Sequence, residues 1–104
     1  MDVPVRDHLD GLLLAVLAAG PAHGYAVIEE LRRRSGDAFD VPEGTVYPAL
    51  HRLEHAGLVA SRWATAGGRR RRVYRLTRKG RDALTRERLN WAGFAKAVEA
   101  VLHG

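Results

Sequence analysis

Apolar residues recur at helical spacing through Leu9, Leu12, Leu13, Val16 and Leu17, until Gly20-Pro21 interrupts them. Positions three and four apart share a helix face, so this run predicts a first helix, with Asp7 placed to cap it. A second helix starts near His23 or Gly24. Its spacing turns Tyr25, Ile28 and Leu31 inward. Glu29 with Arg33, and Glu30 with Arg34, lie outside, four apart in the favourable order. Ser35-Gly36 ends it, and a short loop from Asp37 to Val41 carries Phe39 as its anchor. A third helix starts around Pro42 or Glu43, with Val46, Ala49, Leu50 and Leu53 as its apolar stripe. Gly57 follows as the left-handed residue a helix end favours.

The period then changes. Val59 to Ala64 and Val73 to Thr77 read as two strands, with Trp63, Val73 and Tyr74 matching β propensity. Thr65-Ala66-Gly67-Gly68 reads as the turn between them, and four consecutive arginines follow it. Thr77 caps a last helix that runs to about Leu102, nearly 40 Å at ~1.5 Å per residue. The fold expected is mainly α with a small β-hairpin wing: a winged helix-turn-helix with a long C-terminal dimerisation helix. Residues 1–77 form the winged, DNA-binding region and 78–104 the helix.

A chain of 104 residues is one domain, and so small a core gains from a second subunit. No cysteine is present, which excludes a disulfide, a thiolate metal site and a cysteine nucleophile. No apolar run approaches the ~20 residues of a membrane span, and the first ten residues lack the order of a signal peptide, so a cytoplasmic protein is expected. The net charge is +5. Its distribution is more informative: from Arg62 to Arg88 eleven bases face two acids, Asp82 and Glu87. Such a segment attracts a polyanion, either nucleic acid or an acidic membrane surface. A merely solvated basic face is the plain alternative.

With the apolar stripe of the third helix inward, its opposite face carries Gly44, Pro48, His51, Arg52 and His55, flanked by Thr45 and Tyr47. Small residues come first, then hydrogen-bonding ones, as a helix entering the major groove requires. Gly44 allows close approach of backbone to phosphate at a helix N-terminus. Thr45 and Tyr47 can bond phosphate oxygens, and His51 and Arg52 can reach base edges. Pro48 has no N–H and costs the helix one backbone bond. The same stretch matches the His-x-x-Glu-His pattern of one zinc protease class, at His51, Glu54 and His55. No third ligand is signalled, so no metal, cofactor or enzymatic activity is expected.

Gly67 and Gly68 with Arg69, Arg70, Arg71 and Arg72 read as the tip and one side of the hairpin. Planar, permanently charged guanidiniums suit phosphate or the minor groove. Alternate strand residues point to opposite faces, so Arg69 and Arg71 share one face and Arg70 and Arg72 the other. A membrane-attracting patch and an edge that resists aggregation are the competing readings.

These segments resemble the PadR family of transcriptional regulators, of the kind with a short C-terminus. The resemblance rests on His23-Gly24-Tyr25, on Gly44-Thr45-Val46-Tyr47-Pro48-Ala49-Leu50-His51-Arg52-Leu53-Glu54, and on Ala56-Gly57-Leu58-Val59. Gly67-Gly68-Arg69 and Val73-Tyr74-Arg75-Leu76-Thr77 continue it in order. It is strong from Leu9 to about Ala83 and loose over the last helix. It implies a winged-helix homodimer that binds an inverted-repeat operator in double-stranded DNA, usually as a repressor, with the last helix as dimer interface. It also implies an effector, a small aromatic or hydrophobic compound. Pro42-Glu43 departs from the Ser-Pro often found before Gly-Thr, leaving Asp40 to substitute as cap. Val73 stands where the family often has an aromatic.

In the last helix Leu84, Trp91 and Val98 repeat every seven residues; Phe94 and Val101 fall between them, and Ala95 and Leu102 widen the stripe. Dimer packing explains this stripe, and a ligand pocket lined by Trp91 and Phe94 is the sharper alternative. A winged domain serving as a protein-interaction adaptor is the rival to a DNA-binding function, and the arginine run beside a glycine tip argues against it.

Overall fold

The computed structural model describes residues 8–104. The elements run α1 (Leu9–Ala18), β1 (Ala22–His23), α2 (Gly24–Arg34), α3 (Glu43–His55), β2 (Val59–Ala66), β3 (Arg69–Leu76) and α4 (Arg78–His103). The expected Asp7 cap lies outside the described residues; α1 follows His8, whose side chain makes no capping bond.

Helix α1 packs against α2, α3 and α4. A helix enclosed on several sides needs apolar residues around most of its circumference. Leu14, outside the expected stripe, is therefore buried along with Leu9, Leu13, Val16 and Leu17.

In α2 the buried positions are Gly24, Val27, Ile28 and Leu31. Tyr25 faces out and is 54% exposed, contrary to the sequence expectation. The inward stripe starts one residue earlier, at Gly24, because the Tyr47 ring of α3 occupies the space beside it. A Cβ on Gly24 would meet Tyr47 Cε1 at 2.5 Å. The surface ion pairs also shift. Glu29 pairs with Arg32 at 2.8 Å rather than with Arg33. Glu30 accepts from both Arg33 and Arg34, whose hydrogen bonds hold its carboxyl down at about 2. The helix ends as expected. Gly36, at φ 60°, lets Asp37 N–H reach Arg32 O at 2.9 Å. Phe39 packs against the core and anchors the loop.

Helix α3 runs unbroken through Pro48 and begins without a side-chain cap, so Asp40 does not supply one. Instead the Pro42 carbonyl accepts from Thr45 and Val46 N–H. Val46, Ala49, Leu50 and Leu53 are buried as expected. Gly57, at φ 79°, closes the helix end.

The hairpin is longer than the sequence reading. Gly67 and Gly68, at φ 58° and 76°, make a two-residue turn whose twist matches the strands. Thr65 and Ala66 consequently pair with Arg70 and Arg69, and all four arginines sit within β3. The third strand, β1, is two residues long, too short to show alternation. It pairs Ala22 with Tyr74 and His23 with Val73, giving the antiparallel order β1-β3-β2.

Thr77 joins α4 to the rest. Its Oγ1 accepts from Gly80 N–H at 3.1 Å and donates to Gly57 O at 2.6 Å. Gly80 lies against the Leu58 carbonyl, with no room for a Cβ. Leu84 is buried in the core of its own chain, a correction to its place in the dimer stripe: α4 spends its first turns against α1. Beyond Glu87 the helix leaves the core, and Leu89, Trp91, Phe94, Val101 and Leu102 are exposed. The molecule is therefore elongated, 56 × 28 × 20 Å. No helix among the described residues is long and apolar enough to cross a membrane.

Candidate nucleic-acid interface

Burial of one stripe of α3 leaves Gly44, Pro48, His51, Arg52 and His55 exposed on the other side, with Thr45 and Tyr47 half-buried on the flanks. Nothing lies within 4 Å of where a Gly44 side chain would begin, so backbone is open at the start of the helix. Tyr47 is less free than its flank position implied, because its ring rests on Gly24. Arg52 is not free either: it donates to Asp10 of α1 at 3.0 Å.

The arginines divide between the two faces of the wing as strand alternation requires. On one face Arg71 Nη1 lies 3.1 Å from His23 Nε2, with Arg69 beside the same cleft. On the other, Arg70 and Arg72 lie over the Trp63 ring, 5.1 and 5.4 Å from its centroid. Arg72 Nε also donates to Ser61 Oγ at 2.7 Å. Ser61 N–H and Oγ–H in turn donate to Glu54 of α3, at 2.9 and 2.7 Å. Arg71 and Arg72 are thus engaged within the chain and half-buried, while Arg69 and Arg70 are exposed nearer the tip.

The wing and the starts of α2 and α3 enclose a groove of about 320 Å³. Gly24 and Tyr47 border it on one side, Trp63 and Arg69 to Arg72 on the other. His23 joins the two sides. Its Nδ1 accepts from Ala26 N–H at 3.2 Å, capping α2, while Arg71 presses on the ring. Burial, and then the Arg71 charge, lower its pKa below 6.5. Tyr25 reaches the same groove, and the Glu43 carboxylate beside its hydroxyl raises its pKa. Sequence reasoning had His23 only as part of a motif and Trp63 only as a strand former. Their contacts come from other elements, and neither is signalled by local spacing.

The zinc pattern is not realised. The Glu54 carboxylate is taken by Ser61, and no group of three His, Cys, Asp or Glu among the described residues is placed to hold a metal.

A second cavity, about 360 Å³, lies between α1 and α4. Leu12, Ala15, Phe39, Leu84 and Trp91 line it, with His8, Glu87 and Arg88 at the rim. Trp91 packs edge-on against His8 and at 5.7 Å from Phe94. Along the same helix Ala95 and Val98 are half-buried, and Val101 and Leu102 are exposed.

Residues 13–86 match the model of the transcriptional regulator PadR-like family. The chain belongs to the PadR-like family. The match ends inside α4, in keeping with a resemblance that was strong to about Ala83. A PadR-like chain of this kind is a transcriptional regulator rather than an enzyme. Transcriptional regulator Rv3488 of Mycobacterium tuberculosis is 46% identical over 81 residues, covering 78% of this chain and 73% of its own. A PadR family transcription regulator from Clostridium difficile R20291 superposes with a TM-score of 0.78 at 31% identity, covering 93% of this chain and 99% of that one. PadR of Bacillus subtilis, whose structure was solved in complex with operator DNA, superposes with a TM-score of 0.69 at 25% identity. That superposition covers 79% of this chain and 46% of the longer Bacillus chain.

Proposed function

We propose that this PadR-like chain is a sequence-specific repressor that binds an inverted-repeat operator in double-stranded DNA as a homodimer, in the cytoplasm. One observation carries the reading: the open face of α3 and the arginine wing border a single groove, so helix and wing can engage one duplex together. The Bacillus relative in complex with operator DNA supports the same partner.

In this reading Gly44, Thr45, Tyr47 and Pro48 bring the start of α3 against the phosphate backbone, where a helix N-terminus favours an anion. His51 and Arg52 face the base edges, and Arg52 must exchange Asp10 for DNA. Gly68, Arg69 and Arg70 place the wing tip on the backbone or in the minor groove, with Arg71 and Arg72 bracing it. Residues 1–77 hold the DNA. Residues 78–104 pair two copies through Trp91, Phe94, Ala95, Val98, Val101 and Leu102, an exposed apolar stripe without cover from its own chain. The cavity between α1 and α4 has a ligand-sized volume and an apolar lining, and fits a small aromatic or hydrophobic effector.

Gel retardation on the DNA upstream of the protein's own gene, with salt varied, tests the reading. Retardation that resists competitor DNA and weakens steeply with salt is the expected result. Binding no tighter than to random duplex removes the operator, and no binding at all leaves an adaptor role.

A further inference from the structure

A run of contacts links the recognition helix to the wing tip. Glu54, in the last turns of α3, accepts from Ser61 of β2. Ser61 Oγ accepts from Arg72 of β3. Arg72 lies over the ring of Trp63, its register partner on β2. Trp63 also carries Arg70, one step along the same face of β3 and closer to the turn. The run alternates in chemistry as well as position: carboxylate, hydroxyl, guanidinium, indole, guanidinium. Two neighbouring arginines repel each other, and the electron-rich indole is the surface that accommodates both.

Trp63 has no packing reason to be there. It is 52% exposed and is not among the residues that build or cover the core. Arg70, by contrast with Arg71 and Arg72, has no hydrogen-bonding partner among the described residues. Its planar head rests on a ring that holds it in place and leaves its N–H donors open.

We infer that Trp63 is a positioning residue: it fixes the Arg70 guanidinium for a backbone phosphate beside the one met by α3, and Arg72, Ser61 and Glu54 lock that placement to α3. The inference rests on the DNA-binding reading above and adds to it how the wing is registered on the helix. Trp63 acts through Arg70 and makes no contact of its own with DNA.

Two measurements test it. In the free protein, the Arg70 and Arg72 Nε–H signals are expected to be shifted upfield by the indole ring current. Trp63→Leu should abolish the shift and Trp63→Phe should reduce it. On a labelled random-sequence duplex, Arg70→Ala should weaken binding and flatten the log-affinity against log-salt line by ~0.9. Trp63→Leu should weaken binding about twofold to fivefold, Trp63→Phe should restore most of the loss, and Trp63→Leu with Arg70→Ala should bind no worse than Arg70→Ala alone. Losses that multiply in the double variant would show Trp63 touching DNA itself and overturn the inference. So would wild-type binding by either Trp63→Leu or Arg70→Ala. Arginine signals unmoved in Trp63→Leu overturn it while leaving the DNA-binding reading intact. A wild-type protein that binds no duplex overturns both.

Discussion

Arg52, on the outward face of α3, is paired at 3.0 Å with Asp10 of α1, so a residue placed to read DNA is held by its own chain in the free protein. Both side chains are more than half exposed, and such pairs are worth at most about 1 kcal/mol. DNA can therefore displace Asp10 at small cost. Arg52→Ala is expected to cost roughly 1–3 kcal/mol on the cognate operator and much less on random DNA. Asp10→Asn should tighten binding to both by no more than about fivefold. Competition against operators varied one base pair at a time decides between reading and holding. Equal losses on operator and random DNA would give base recognition to Thr45, Tyr47 and Pro48 instead.

The other face of the wing should behave differently. Replacing Arg69 and Arg71 by alanine is expected to weaken binding to any duplex by a similar factor, since phosphate contacts carry no sequence. Each lost contact should lower the salt slope by ~0.9. An unchanged affinity and slope would take this face off the DNA.

His23 makes the fold sensitive to pH. A proton on Nδ1 would turn an acceptor of the Ala26 N–H into a donor and set two cations side by side, which is why the folded chain keeps the pKa below 6.5. The unfolded chain then takes up the proton first. Stability is expected to fall as pH drops below 6.5, and to stop falling from this cause once the folded-state pKa is passed. His23→Asn keeps a capping side chain and removes the titration. Denaturant melts between about pH 7.5 and 5 should show a shallower slope for this variant. Identical slopes would mean that His23 titrates as it does in the unfolded chain.

The exposed stripe of α4 predicts the oligomer. Trp91→Ala with Phe94→Ala removes two large rings that are 49% and 59% exposed in the single chain. Sedimentation should shift from dimer toward monomer. An unaltered dimer would place the interface elsewhere.

Much of this was legible in the sequence because the residues involved are governed by their near neighbours. The α3 stripe, the αL glycines Gly36 and Gly57, and the Thr77 cap all follow from spacing within a few residues. The misreadings have a different cause. Tyr25 went to the wrong face because a tyrosine from α3 fills the space over Gly24. Leu84 looked like part of a coiled-coil repeat, yet α1 claims it first. The β1 strand exists only because β3 offers it an edge. For the candidate interface the residue types were visible and their partners were not: Asp10 with Arg52, His23 with Arg71, and Glu54 with Ser61 are 42, 48 and 7 residues apart.

Helix α4 is clamped at one end only, by Thr77, Gly80 and Leu84 and by the close approach of Glu87 to Gly11. Mechanically it is a cantilever. From Glu87 to His103 it extends ~24 Å, so a change of about 5° in tilt at the clamp moves its free end by roughly 2 Å. In a pair of chains joined along that arm, the distance between the two reading helices is geared to the clamp angle. Substitutions at Gly11 or Leu84, far from any base, would then retune which half-site spacing the dimer accepts, and a compound wedged beside Trp91 would act on the same gear.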